Sequence, residues 1–212
     1  MKHITLLSVL TLTAASALAQ SAPAVAPAFT TSGNVALTSN YVFRGVSYSA
    51  NHLALQGGVD LTKTPINGLT AGVWGSSLDA GTEVDLYANY GFKLGAVDFS
   101  VGYIDYTYSA SSTYATGGEA NVAATYAGLT LKISKGISGA LSDYYYEANY
   151  TREIAQVKGL SLGLHYGNDA LSKKDDYTVS LTYPVFGFDA SVAYNKLEGS
   201  SSLTAFTVKK SF

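Results

Sequence analysis

Five glycines, Gly68, Gly95, Gly128, Gly159 and Gly187, each close a short turn and open a segment in which apolar and polar residues alternate. Their spacing of 27 to 33 residues is the length of one hairpin: two strands of about ten residues, a turn and a loop. About twelve such period-two segments run from Asn34 to Phe212. The clearest places Val84, Leu86, Ala88, Tyr90 and Phe92 on one face and Glu83, Asp85, Tyr87 and Asn89 on the other. Hairpins in unbroken succession leave two solutions for the exposed sheet edges: a second packed sheet, or closure into a barrel.

The distribution of aromatics separates the two. With strand directions alternating along the chain, Tyr103, Tyr144, Tyr146, Tyr166, Tyr177 and Tyr194 fall near one end of the apolar face. Tyr90, Phe92, Tyr126, Tyr150, Tyr183, Phe188 and Phe212 fall near the other, with Val59, Leu86, Leu131, Val179 and Val192 between. A soluble sandwich has no reason to sort tyrosine by strand end. A membrane barrel does, because the ring and hydroxyl both find partners at headgroup depth. The turns opened by the five glycines are mostly short, and the connections half a period later mostly longer, as in barrels with short periplasmic turns and long outer loops. The expected fold is therefore all-β: a transmembrane, antiparallel up-and-down β-barrel of about twelve strands at 33–212, with both chain ends on the periplasmic side.

Composition agrees. Apolar residues make up 47% of the chain, yet beyond the first twenty residues no apolar run is long enough for a spanning helix. Met1-Lys2-His3, an apolar stretch and Ala17-Leu18-Ala19 read as a cleaved secretory signal over 1–19. An Ala/Pro-rich tether follows over 20–32. The chain has no cysteine, which excludes disulfides, thiol catalysis and cysteine metal sites. The net charge of −2 and the lack of a basic patch point away from nucleic acid.

Three segments carry a family resemblance: Leu37-Thr38-Ser39-Asn40-Tyr41-Val42-Phe43-Arg44-Gly45-Val46-Ser47, Leu55-Gln56-Gly57-Gly58-Val59-Asp60 and Gly72-Val73-Trp74-Gly75-Ser76-Ser77. In these, and in its Lys-Ser-Phe ending, the chain resembles the TorF-type porin family of proteobacteria. It departs from the family pattern at Val59-Asp60-Leu61. The resemblance implies an outer-membrane barrel acting as a pore. The terminal Phe212 resembles the residue by which the barrel-assembly machinery reads its clients, while Lys210 stands where an apolar residue is usual.

Alternation assigns the lumen. The first strand is expected to run from Asn34 to Ser47, turning at 49–52, with Val35, Leu37, Tyr41 and Phe43 toward lipid and Asn40 and Arg44 inward. Gln56, Asp60, Trp74, Glu83, Asp85, Glu119, Lys132, Glu147 and His165 also face inward, as do Asp98 and Asp189. Arg44 has two readings: a selectivity residue, or an ion pair bracing the wall, with Asp60 as partner. Trp74, the only tryptophan, is a packing plug or a stacking platform. The excess of inward carboxylates favours cations.

Neither a nucleophile elbow, which needs Gly-x-Ser-x-Gly on a strand-to-helix turn, nor a metal-ligand spacing supports a catalytic centre, a metal or a cofactor. A barrel of twelve strands has a backbone radius of about 12 Å, which leaves a narrow lumen. The expected function is an outer-membrane porin-like channel for passive diffusion of ions or small hydrophilic solutes. The alternative is a non-conducting barrel with a structural or surface-adhesion role; an outer-membrane enzyme comes third. Expected partners are outer-membrane lipid, periplasmic chaperones, the assembly machinery and the solutes themselves.

Overall fold

The computed structural model describes residues 29–63, 66–110 and 114–212. The signal at 1–19, tether residues 20–28, Thr64-Pro65 of one turn and residues 111–113 of one loop lie outside the described residues. The strands are β1 (Thr30–Thr38), β2 (Val42–Phe43), β3 (Val46–Ser47), β4 (Ala54–Lys63), β5 (Leu69–Ser77), β6 (Thr82–Leu94) and β7 (Val97–Tyr108). They continue with β8 (Gly117–Tyr126), β9 (Leu129–Gly136), β10 (Tyr144–Glu153), β11 (Ser161–Asp169), β12 (Lys174–Val185), β13 (Phe188–Leu197) and β14 (Leu203–Ser211). Twelve of them close into one antiparallel barrel in sequence order, and β1 seals against β14. The last residue joins the seam: Gly33 N donates to the Phe212 carbonyl at 2.8 Å, and Phe212 N to the Gly33 carbonyl at 3.0 Å. A closed sheet leaves no edge, the condition for crossing a bilayer with strands.

The apolar face points outward. Leu86, Leu131, Val179 and Phe206 are exposed on the outer wall, as are Tyr103, Tyr144, Tyr146, Tyr166, Tyr177 and Tyr194 toward one end and Tyr90, Phe92, Tyr126, Tyr183 and Phe188 toward the other. A water-soluble barrel would bury this set; lipid is the solvent that rewards it. Outward lysines near the barrel ends, Lys135 and Lys210 among them, reach for polar partners. Lys135 lies 4.4 Å from the Tyr144 ring and donates to the Ser142 carbonyl. Lys210 reaches the Gly187 carbonyl at 2.7 Å and the Phe188 ring at 5.5 Å, so its charge leaves the apolar band. Val179, half-way along β12, tests the orientation. Val179→Arg is expected to cost roughly 2–4 kcal/mol in urea unfolding from lipid vesicles; a loss below about 0.5 kcal/mol, the usual size for a surface change, would take Val179 off the lipid face.

The first strand departs from the sequence expectation at both ends. It begins at Thr30, so the last three tether positions belong to the barrel, and it stops at Thr38. Between Ser39, still bonded to Phe206 on β14, and Leu53 the chain leaves the wall and folds inward. Tyr41 is consequently buried inside the barrel and does not face lipid. Phe43 likewise turns inward, 5.9 Å from the Tyr106 ring. The cause is local: Arg44 and Gly45 both take positive φ, 47° and 75°, and close a two-residue turn between β2 and β3. Paired Thr38 and Ala54 bracket the excursion, so the wall continues from β1 to β4 without it.

Candidate functional site

The inward segment crosses the lumen. Asn40 ties its base: the Asn40 Nδ2 donates to Asn51 Oδ1 at 2.8 Å, and its Oδ1 accepts from the Ser47 hydroxyl at 2.6 Å and the Ser49 hydroxyl at 3.3 Å. Ser49 also accepts from Tyr41 N at 2.8 Å, and Tyr48 N donates to the Tyr41 carbonyl at 2.7 Å. Aromatic rings fill the space around this knot. Tyr41 meets Tyr48 and Trp74 edge-on at 5.5 and 5.6 Å, and Tyr48 meets Tyr114 at 4.9 Å.

The tip reaches the far side. A Cβ on Gly45 would lie 2.8 Å from Leu197 Cβ and 3.0 Å from Asp176 Cβ, on β13 and β12, so glycine serves both the turn and the close approach. Arg44 grips β8 by a two-pronged pair with Glu119, Nη1 to Oε1 at 2.9 Å and Nη2 to Oε2 at 2.7 Å. Its guanidinium also lies 4.0 Å from the Tyr145 ring centre on β10. The partner is therefore Glu119 on the opposite wall, and the Asp60 expected from sequence is not it. Asp60 accepts instead from the Tyr87 hydroxyl. The expectation paired neighbours on one hairpin; once β1 ends at Thr38, Arg44 is no longer beside β4.

The remaining wall residues keep their inward parity. Lys132 and Glu147, cross-strand partners, form an ion pair at 3.1 Å. His165 bonds Asn149 through Nδ1 at 2.7 Å, while its Nε2 lies 3.0 Å from Asp176 Oδ1. Gln56 donates to the Ser76 hydroxyl at 3.4 Å. Trp74 stands over Gly58, whose missing side chain leaves the indole room, and Trp74 and Asp85 pair across β5 and β6. Glu83 accepts from the Tyr108 hydroxyl at 2.9 Å. Asp98 sits at the exposed strand end and pairs with Lys93 at 3.1 Å, so it adds little to the lumen. Asp60, bonded to Tyr87, aside, the predicted lumen residues divide into three groups. Asn40 and Arg44 build the crossing hairpin, Glu119, Lys132, Glu147 and His165 line the wall around its tip, and Gln56, Trp74, Glu83 and Asp85 lie near its base.

Tyr106, Tyr108, Tyr145 and Asp176 were not anticipated. Asp176 accepts from the Tyr145 hydroxyl at 2.8 Å and is buried. The signal was available: Asp176 has the parity of Thr178 and Ser180, and Tyr106 and Tyr108 have that of Gly102. Among the described residues, no three His, Asp or Glu side chains group so as to hold a metal ion.

These features define a closed antiparallel barrel with an apolar exterior, a polar lumen and a hairpin lying across it. The chain belongs to a family of bacterial proteins of unknown function (Gcw_chp), whose model matches residues 21–210. No curated protein matches it in sequence. Among solved structures it is similar to the KdgM porin, with a TM-score of 0.63 at 11% identity over 85% of this chain and 98% of that one. It is also similar to a structure from a study of the in-meso crystallization of membrane proteins, with a TM-score of 0.64 at 13% identity, covering 87% and 83% of the two chains. The outer membrane phospholipase A of Escherichia coli follows with a TM-score of 0.52 at 10% identity, covering 85% and 91%. These likenesses show the fold.

Proposed function

We propose that the protein is an outer-membrane porin-like channel through which ions or small hydrophilic solutes diffuse passively, and that residues 39–53 narrow it. The observation that carries this reading is the inversion of polarity: valine, leucine and tyrosine outside, carboxylates, amides and hydroxyls inside. A polar lumen in a lipid-facing barrel is what a water-filled path requires. The similarity to the KdgM porin and the resemblance to the TorF-type family support the same reading. Export through the signal, assembly guided by Phe212 and residence among outer-membrane lipids belong to this proposal.

The lumen charges give it a direction. Arg44 is spent on Glu119 and Lys132 on Glu147, while Asp60, Glu83 and Asp85 have no basic partner. The surplus is negative, so cations are expected to pass more readily than anions. Under a salt gradient in a planar bilayer, the reversal potential is expected on the cation-selective side. An anion-selective potential would overturn the direction of the surplus, and no current at all would favour the non-conducting structural barrel.

The likeness to a phospholipase shows the fold alone. His165 faces the lumen, away from lipid, and both its ring nitrogens are engaged by Asn149, Asp176 and Tyr145. This network joins β10, β11 and β12 and supports a bracing role.

A further inference from the structure

Beneath the base of the hairpin lies a cavity of about 400 Å³, lined among others by Asn40, Tyr41, Gln56, Trp74, Asp85 and Tyr106. Asp85 is its only acidic residue, and none of its lining residues is basic. Asp85 is only 4% exposed, and its Oδ1 has no hydrogen-bond partner. Such a group is costly to bury without compensation. The fold places two aromatic rings beside it: Trp74 pairs across β5–β6 and Tyr106 across β6–β7, so one rung of the wall reads Trp74–Asp85–Tyr106. Tyr41 of the hairpin packs on Trp74 from above the cavity floor, at 5.6 Å between ring centres. Glu83, two residues along the same inner face and 1% exposed, deepens the negative potential.

We propose that this cavity binds a small organic monocation of the alkylammonium class. A carboxylate supplies the charge partner, and the flanking rings supply aromatic surface for a weakly hydrated cation. A hard metal ion fits less well, because it calls for several oxygen ligands and the cavity supplies one carboxylate among rings and amides. The site lies in the lumen, so the inference rests on the reading of that lumen as a solute path and names the class of solute it retains.

Trp74 is the only tryptophan of the chain and forms a wall of the site, so its fluorescence reports occupancy without any current being measured. Choline chloride titrated into the folded full-length protein in detergent is expected to change Trp74 emission saturably. Equal concentrations of sodium chloride, and of 3,3-dimethyl-1-butanol, the uncharged isostere of choline, are expected to leave it unchanged. The near-isosteric Asp85→Asn is expected to weaken choline by about tenfold or more, with heat-modifiable gel mobility confirming that the variant remains folded. No saturable change, an equal response to sodium or to the neutral isostere, or unchanged affinity in Asp85→Asn would each overturn the site. Saturable fluorescence in a barrel that carries no current would sink the channel reading and leave the site standing; current without a fluorescence response would do the reverse.

Discussion

Excising residues 40–52 and joining Ser39 to Leu53 through a short Gly-Ser turn is expected to raise single-channel conductance about two- to threefold. The reasoning is geometric. Thr38 and Ala54 are already paired neighbours in the wall, so a tight turn closes β1 onto β4 without strain. Every strand pair of the barrel survives, because the excised segment contains only the small β2–β3 hairpin. What is lost is the bar across the lumen: Tyr41, Phe43 and Tyr48 with their aromatic partners, and Arg44 with its grip on the far wall. Unchanged conductance with intact gel mobility would mean that the current path bypasses the hairpin.

Glu119→Ala is expected to cost about 3 kcal/mol in urea unfolding from lipid vesicles and to free the hairpin tip. Removing one member of a buried pair leaves the other charge uncompensated, and that penalty, more than the lost attraction, sets the size. Arg44 would lose both of its prongs, and its Nε already has no partner. Asp176, close to the tip, is engaged by Tyr145 and His165 and offers a poor substitute. Arg44→Ala added to Glu119→Ala is expected to recover a large part of the loss, since the orphaned charge is then gone. Trypsin reports the same event, with cleavage after Arg44 appearing in Glu119→Ala and absent in the wild type. Additive losses in the double variant would show that the pair is not coupled.

The barrel was legible because its signal repeats. A period of two, maintained over a dozen segments and punctuated by glycine, leaves few topologies, and parity then assigns Glu83, Asp85, Lys132, Glu147 and His165 to the inner face. The hairpin was not legible by that rule. Residues 40–47 alternate as well as any wall strand, and alternation is silent on whether a strand stays in the wall or folds into the lumen. The local cue was Arg44-Gly45, a pair with the turn geometry that Asn-Gly usually provides, hidden because arginine seldom accepts positive φ. The Arg44–Glu119 pair was beyond reach for a different reason: it spans 75 residues and two opposite walls, and nothing near either residue encodes the distance. Asp60 was the plausible neighbour only while β1 continued past Thr38.

Under the proposed function, the lumen narrowed by the hairpin is the working part of the molecule. Single-channel recording of the wild type beside the hairpin-excised barrel, in planar bilayers over a range of salts and voltages, tests it most directly. The expected result is discrete small steps in the wild type and larger ones after excision. Silence from both, with both barrels folded and inserted, would contradict it.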